Sequence, residues 1–152
     1  TRQARTMQIS TTRFGTVEIR AADIIHFPFG LLGFGGAMDW VLLADAENDS
    51  LGWLQSVTQS ELALAVVSPR QFVPEYQVRI ARSELTALEL DDVAQAHVLV
   101  TVSAGDNGLT LNLKAPLVIH LERRLGRQVI ATGEQPLQYA LPGEPVQRRK
   151  AA

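Results

Sequence analysis

The sequence predicts an all-β fold, mainly antiparallel, with one short helix, and three observations carry that expectation. Apolar and polar residues alternate with period two along much of the chain, the pattern of half-buried strands. The alternating runs are short and separated by turn formers, most plainly the Asn107-Gly108 dipeptide, whose tolerance of positive φ suits a tight hairpin. Helical spacing occurs over a single stretch, residues 83–92. A chain of 152 residues is the size of one domain and can bury a core without staples. With 46% apolar and 20% charged residues, wholesale disorder is excluded.

In chain order, TMQIS (6–10) and GTVEIR (15–20) alternate around a turn at Arg13 to Gly15 and form a first hairpin. WVLLA (40–44) and GWLQSV (52–57) are strands joined by the acidic turn DAENDS (45–50). LALAVV (62–67) is a continuous apolar run, read as a buried strand that Pro69 ends. SELTALELDD (83–92) is the helix, with Ser83 expected as its N-cap, Glu84 in the first turn, and Leu85 and Leu88 on one face. HVLVTVSAGDNGLTLNLKAP (97–116) is the second hairpin. PLVIHL (116–121) and RQVIA (127–131) follow as strands, with ERRLG (122–126) between them. Many short strands with one minor helix point to an antiparallel barrel or a sandwich. The folded domain is expected over residues 7–141, with Met7 a candidate natural start and disordered tails at 1–6 and 142–152.

Charge is unevenly placed. From Met7 to Leu141 nine basic residues face fifteen acidic ones, a net of −6, while the tails are basic through Arg2, Arg5, Arg148, Arg149 and Lys150. Residues 39–92 alone carry −7. Such a surface repels phosphate and suits a basic protein partner, or it is simply a solvated face that keeps the chain soluble. Direct RNA binding would have to use Lys114, Arg123, Arg124, Arg127 and the C-terminal tail, against a body of the wrong sign. The absence of cysteine rules out disulfides and thiolate metal sites and suits a reducing cytoplasm. The N-terminal residues do not resemble a signal peptide, and no segment has the roughly 18 apolar residues of a membrane span.

The sequence carries no enzyme signature. His26, His97 and His120 lie far apart and form no helical H-x-x-x-H pair, so no zinc site is expected and each is read as a satisfied structural histidine. No nucleophile elbow and no Walker A sequence occurs. HFPFGLLGFGG (26–36) is glycine-rich but has neither the order nor the strand-to-helix context of a dinucleotide loop. It is read instead as a turn in which Pro28, Gly30 and Gly33 shape the backbone while Phe27, Phe29 and Phe34 plug a barrel end; whether the plug also lines a partner site stays open. In WLQS (53–56) the indole of Trp53 is expected in the core and Gln55 on the other side of the strand. FVPEY (72–76) reads as a lid over the core or an exposed recognition patch. A small-molecule-binding barrel remains a third class, and an apolar cavity would distinguish it.

FGTVEI, IIHFPFGLLGF, WLQS, SPRQFVPEY, LTLNLKAPLVIH and GRQVI, in this order and spacing, resemble the FliW family of flagellar assembly factors over about Met7 to Leu141. His120 departs from the family pattern, which more often has Asn there. The resemblance implies a small β-barrel-like domain with one short helix, without cofactor or metal, acting as a non-enzymatic, cytoplasmic and monomeric regulator. It also implies two partners: flagellin and the translational repressor CsrA, which the FliW-like protein antagonises allosterically, so that flagellin translation is coupled to secretion. Neither direct nucleic-acid nor membrane binding is expected. On this reading Asp45, Glu47 and Asp49 with the helix acids Glu84, Glu89, Asp91 and Asp92 supply part of the CsrA-facing surface, and Phe27, Phe29, Phe34 and Gln55 lie at or near a partner site.

Overall fold

Seven strands close into a ring at the centre of the computed structural model, which describes residues 5–106, 108–131 and 135–141. In chain order the strands are β1 (Thr6–Thr11), β2 (Gly15–Arg20), β3 (Ile25–His26), β4 (Asp39–Ala44), β5 (Leu51–Ser56), β6 (Ala63–Val67), β7 (His97–Gly105), β8 (Gly108–Leu111), β9 (Leu117–His120), β10 (Leu125–Gln128) and β11 (Tyr139–Ala140). Helix α1 (Arg82–Ala87) lies between β6 and β7. The ring runs β7-β6-β5-β4-β3-β10-β9 and closes where β9 pairs back onto β7 through His97 with Ile119, Val98 with Val118 and Leu99 with Leu117. Closure removes the sheet edges that a sandwich would leave. Every described pairing is antiparallel except the short contact of β3 with β10. β8 and β11 extend outward from β7, and β1 with β2 forms a separate hairpin.

Period-two alternation decides which residues fill the barrel. Trp40 of β4, Leu54 of β5, Val66 of β6, and Leu117 and Ile119 of β9 point into the lumen and join Ile25, Phe27, Leu31 and Ala37 in one buried cluster. The outer walls are covered in three places. The β1–β2 hairpin packs Ile9 and Ile19 on Val41 of β4. The segment around α1 sets Leu88 and Leu90 against Val118 and Val129. Tyr76, from the loop after β6, packs with Val67, Val100, Leu111 and Leu113. Its hydroxyl donates to the Leu113 carbonyl at 2.7 Å, and burial pushes the phenol up to about 12.

Four expectations change. The N-cap of α1 is Ala81, without a side-chain cap, and Ser83 sits inside the helix. The helix stops at Leu88 because Glu89 takes a left-handed φ of 58°, which swings Leu90 into the core. The last ring strand begins at Leu125 rather than Arg127, because the turn is completed by residue 124 and Leu125 already pairs with His120. Residues two apart share a face of a strand, so Trp53 and Gln55 lie together on the outer wall of β5, opposite the lumen-facing Leu54. The core tryptophan is Trp40, and Trp53 is half-buried. In the second hairpin β7 and β8 pair as far as Gly105 with Gly108, which has φ of +111°; Asn107 and the tail residues 1–4 and 142–152 lie outside the described residues.

Candidate functional site

The loop between β3 and β4 is built from consecutive tight turns. Gly30 N–H donates to Phe27 O at 2.8 Å, Phe34 N–H to Leu31 O at 2.8 Å, and Ala37 N–H to Phe34 O at 3.0 Å. Gly30 is required twice over: its φ is +68°, and a Cβ there would lie 3.0 Å from the Gly35 backbone. The turns divide the apolar side chains. Phe27, Leu31 and Ala37 enter the lumen, and the Ala37 carbonyl accepts the Trp40 indole N–H at 3.1 Å, sealing one barrel end. Phe29, Leu32, Phe34 and Met38 are turned to solvent, Phe29 with 71% of its surface exposed. Gln128 holds the loop on the barrel by accepting the Leu32 N–H at 2.8 Å and donating to Ala115 O at 2.9 Å.

The three phenylalanines expected at a partner site therefore have different placements. Phe29 and Phe34 are available at the surface, whereas Phe27 is fully buried and its ring lies on Gly126 of β10. Gln55 is also fully buried: it faces the same side as Val41, beneath the turn after β5, and its Nε2 donates to Ser56 O at 3.0 Å and Ser60 O at 3.3 Å. Neither side chain is exposed: Phe27 lies inside the barrel and Gln55 lies beneath the turn after β5. Leu32 belongs to the same glycine-spaced apolar segment and Met38 follows it two residues on, but neither was among the residues expected at a partner site.

The acidic residues fall on separate walls. Asp45 is half-buried at the start of the β4–β5 turn, where Glu47 and Asp49 are exposed. Its carboxyl is held below the ordinary carboxylate range chiefly by the Trp53 indole N–H, 2.9 Å from Oδ1, and by the Glu47 amide at 3.1 Å. The same indole carries the Arg13 guanidinium 4.0 Å above its centroid and Phe14 edge-on, so the β1–β2 turn, Trp53 and Asp45 form one connected assembly. The helix acids lie elsewhere, on the segment covering β9 and β10. Glu84 is paired with Arg127, and Glu89 with Arg123 at 3.5 Å. Their charge is already met within the chain, so of the helix group only Asp91 and Asp92 are exposed acids without a described ion pair.

The same contacts engage the basic cluster. Arg127 also lies 4.2 Å over the Phe29 ring, and Arg124 donates to Ala22 O at 2.9 Å. This ties α1 to the exposed loop through Glu84, Arg127 and Phe29. His26 is bonded to Asp39 at 2.7 Å, and the buried His120 accepts the Arg123 amide at 3.4 Å. Among the described residues no three His, Asp or Glu side chains converge as a metal site, and no helix is long and apolar enough to cross a membrane.

The family model described as FliW protein matches residues 8–141. A flagellar assembly factor FliW of Bdellovibrio bacteriovorus is 38% identical over 126 residues, covering 82% of this chain and 72% of that protein. One from Desulfitobacterium hafniense is 36% identical, covering 82% of this chain and 83% of the relative. A crystal structure of the flagellar assembly factor FliW superposes with a TM-score of 0.83 at 30% identity, over 92% of this chain and all of that one. Seven-strand closure, the turn-built plug and a match spanning nearly the whole described body agree: the chain belongs to the FliW family.

Proposed function

We propose that this chain acts in flagellar assembly as a non-enzymatic cytoplasmic regulator that binds flagellin and, in competition, the repressor CsrA, relieving repression of flagellin translation. The observation that carries the reading, in a chain of this family, is the 28–38 loop. It holds Phe29, Leu32, Phe34 and Met38 in solvent on a rigid barrel end, a presentation the fold does not need for its own core. Exposed Glu47 and Asp49, with Asp91 and Asp92, offer a basic partner a complementary surface that would act mainly on association rate and salt dependence. Competition between the partners requires only that each binding event lower the affinity for the other, a coupling that is reciprocal.

The test is calorimetry of this protein against flagellin and CsrA from the same source, separately and then with flagellin added to the preformed CsrA complex. Binding of both with displacement supports the reading, and binding of neither overturns it. Glu47→Lys with Asp49→Lys should weaken CsrA binding and flatten its salt dependence. Unchanged binding would remove the acidic turn from the interface.

A further inference from the structure

The plug seals one barrel end, and among the described residues a cleft opens at the other. Leu42 shares the lumen face of β4 with Trp40, two residues further from the plug, yet 42% of it is exposed. Leu99 and Ile119 share the lumen face with Leu117, through the Leu99–Leu117 pair and the two-residue step to Ile119. All three line a half-open cleft of about 750 Å³ at this mouth, with the fully buried Ile119 as its floor. That volume is within the roughly 300–1,000 Å³ of small-ligand clefts, and barrel mouths are a recurrent place for them.

The rim has a sign of its own. Arg70, Arg79 and His97 line the mouth, and among the described residues that line it none is a carboxylate. Arg70 is anchored there by donating from Nε to Tyr76 O at 2.9 Å. Neither arginine has an ion pair among the described residues, although the 39–92 stretch that supplies both carries −7 overall. Two guanidinium groups without carboxylate partners above an apolar floor match one chemistry: an anionic head on an aliphatic or aromatic body. We infer that the open barrel mouth is a binding site for a small anionic amphiphile, its carboxylate or phosphate held by Arg79 and Arg70 and its apolar part on Leu42, Leu99 and Ile119. The site is distinct from the Phe29 loop, which caps the opposite end, so its occupancy does not depend on the partner reading.

The probe is octanoate, with neutral octanamide as its isosteric control, titrated into the full chain carrying 13C-labelled Leu and Ile methyls. Saturable binding at or below about 1 mM is expected, with shifts confined to Leu42, Leu99, Ile119 and Leu121, and with octanamide at least about tenfold weaker. Arg79→Gln, at an exposed position with no described bond, should keep the thermal midpoint and lower octanoate affinity by about tenfold, and Arg79→Lys should restore part of it. Octanamide binding as tightly as octanoate, shifts centred on the Phe29 loop, or no saturation would each overturn the assignment.

Discussion

Among the described glycines, Gly126 leaves the least room for a side chain. A Cβ built there would lie 2.4 Å from the Phe27 ring, whose own position is set by the plug turns around it. Gly126→Ala should therefore cost about 2–3 kcal/mol as overpacking, read from urea midpoints, and adding Phe27→Leu should return part of the loss. Tyr76 makes a second prediction. Burial raises its phenol from the ordinary 10.0 to about 12, so the folded state holds the proton more tightly than the unfolded state. Its contribution is intact below pH 10 and lost as the pH rises from 10 to 12. Tyr76→Phe should lower stability by about 1 kcal/mol at neutral pH through the lost bond to Leu113 O, and should flatten the fall in melting temperature across that alkaline window. Neither effect was legible in the sequence: a lone glycine in GRQVI and a tyrosine in FVPEY gain their constraints from partners 99 and 37 residues away.

At the scale of elements, the β3–β4 loop separates buried from exposed apolar positions within a few residues. Phe27→Ala should cost about 3–5 kcal/mol, because it empties a fully buried position. Phe29→Ser, at a solvent-facing position beneath Arg127, should change stability by less than about 1 kcal/mol while reducing partner binding in calorimetry. Equal stability losses in the two variants would show that the exposed part of the loop is structural as well. The glycine and proline spacing marked this segment as a turn-built plug, and that much was legible, because backbone freedom is a local property. Which phenylalanine points inward was not, since the turns place side chains by their hydrogen-bond sequence rather than by a simple period. The helix shows the same divide: Leu88 was expected on its apolar face and is buried, but Ala81 rather than Ser83 occupies the cap, and Glu84 and Glu89 are taken up by arginines that follow β9 in the chain.

For the whole molecule, closure combines the pairing of β7 with β9 about 20 residues on with the long-range pairing of β3 with β10 about a hundred residues later. Contacts of such span must be formed against loop-closure entropy, so refolding followed by tryptophan fluorescence is expected in the millisecond-to-second range rather than in microseconds. Microsecond folding would mean that local hairpins carry more of the stability than the ring does. The sequence by itself determined the strand-rich class, the two hairpins, the plug loop, the acidic body and the family, because alternation, turn chemistry and motif order are written locally. Only the tertiary structure decided that the ring closes with seven strands, that Gln55 and Phe27 are buried, that Glu84 and Glu89 are already paired, and that one barrel mouth carries a cleft lined by two arginines. Each of these depends on which residues from remote strands and loops come to face one another, and period-two alternation assigns a residue to a face without saying what covers that face.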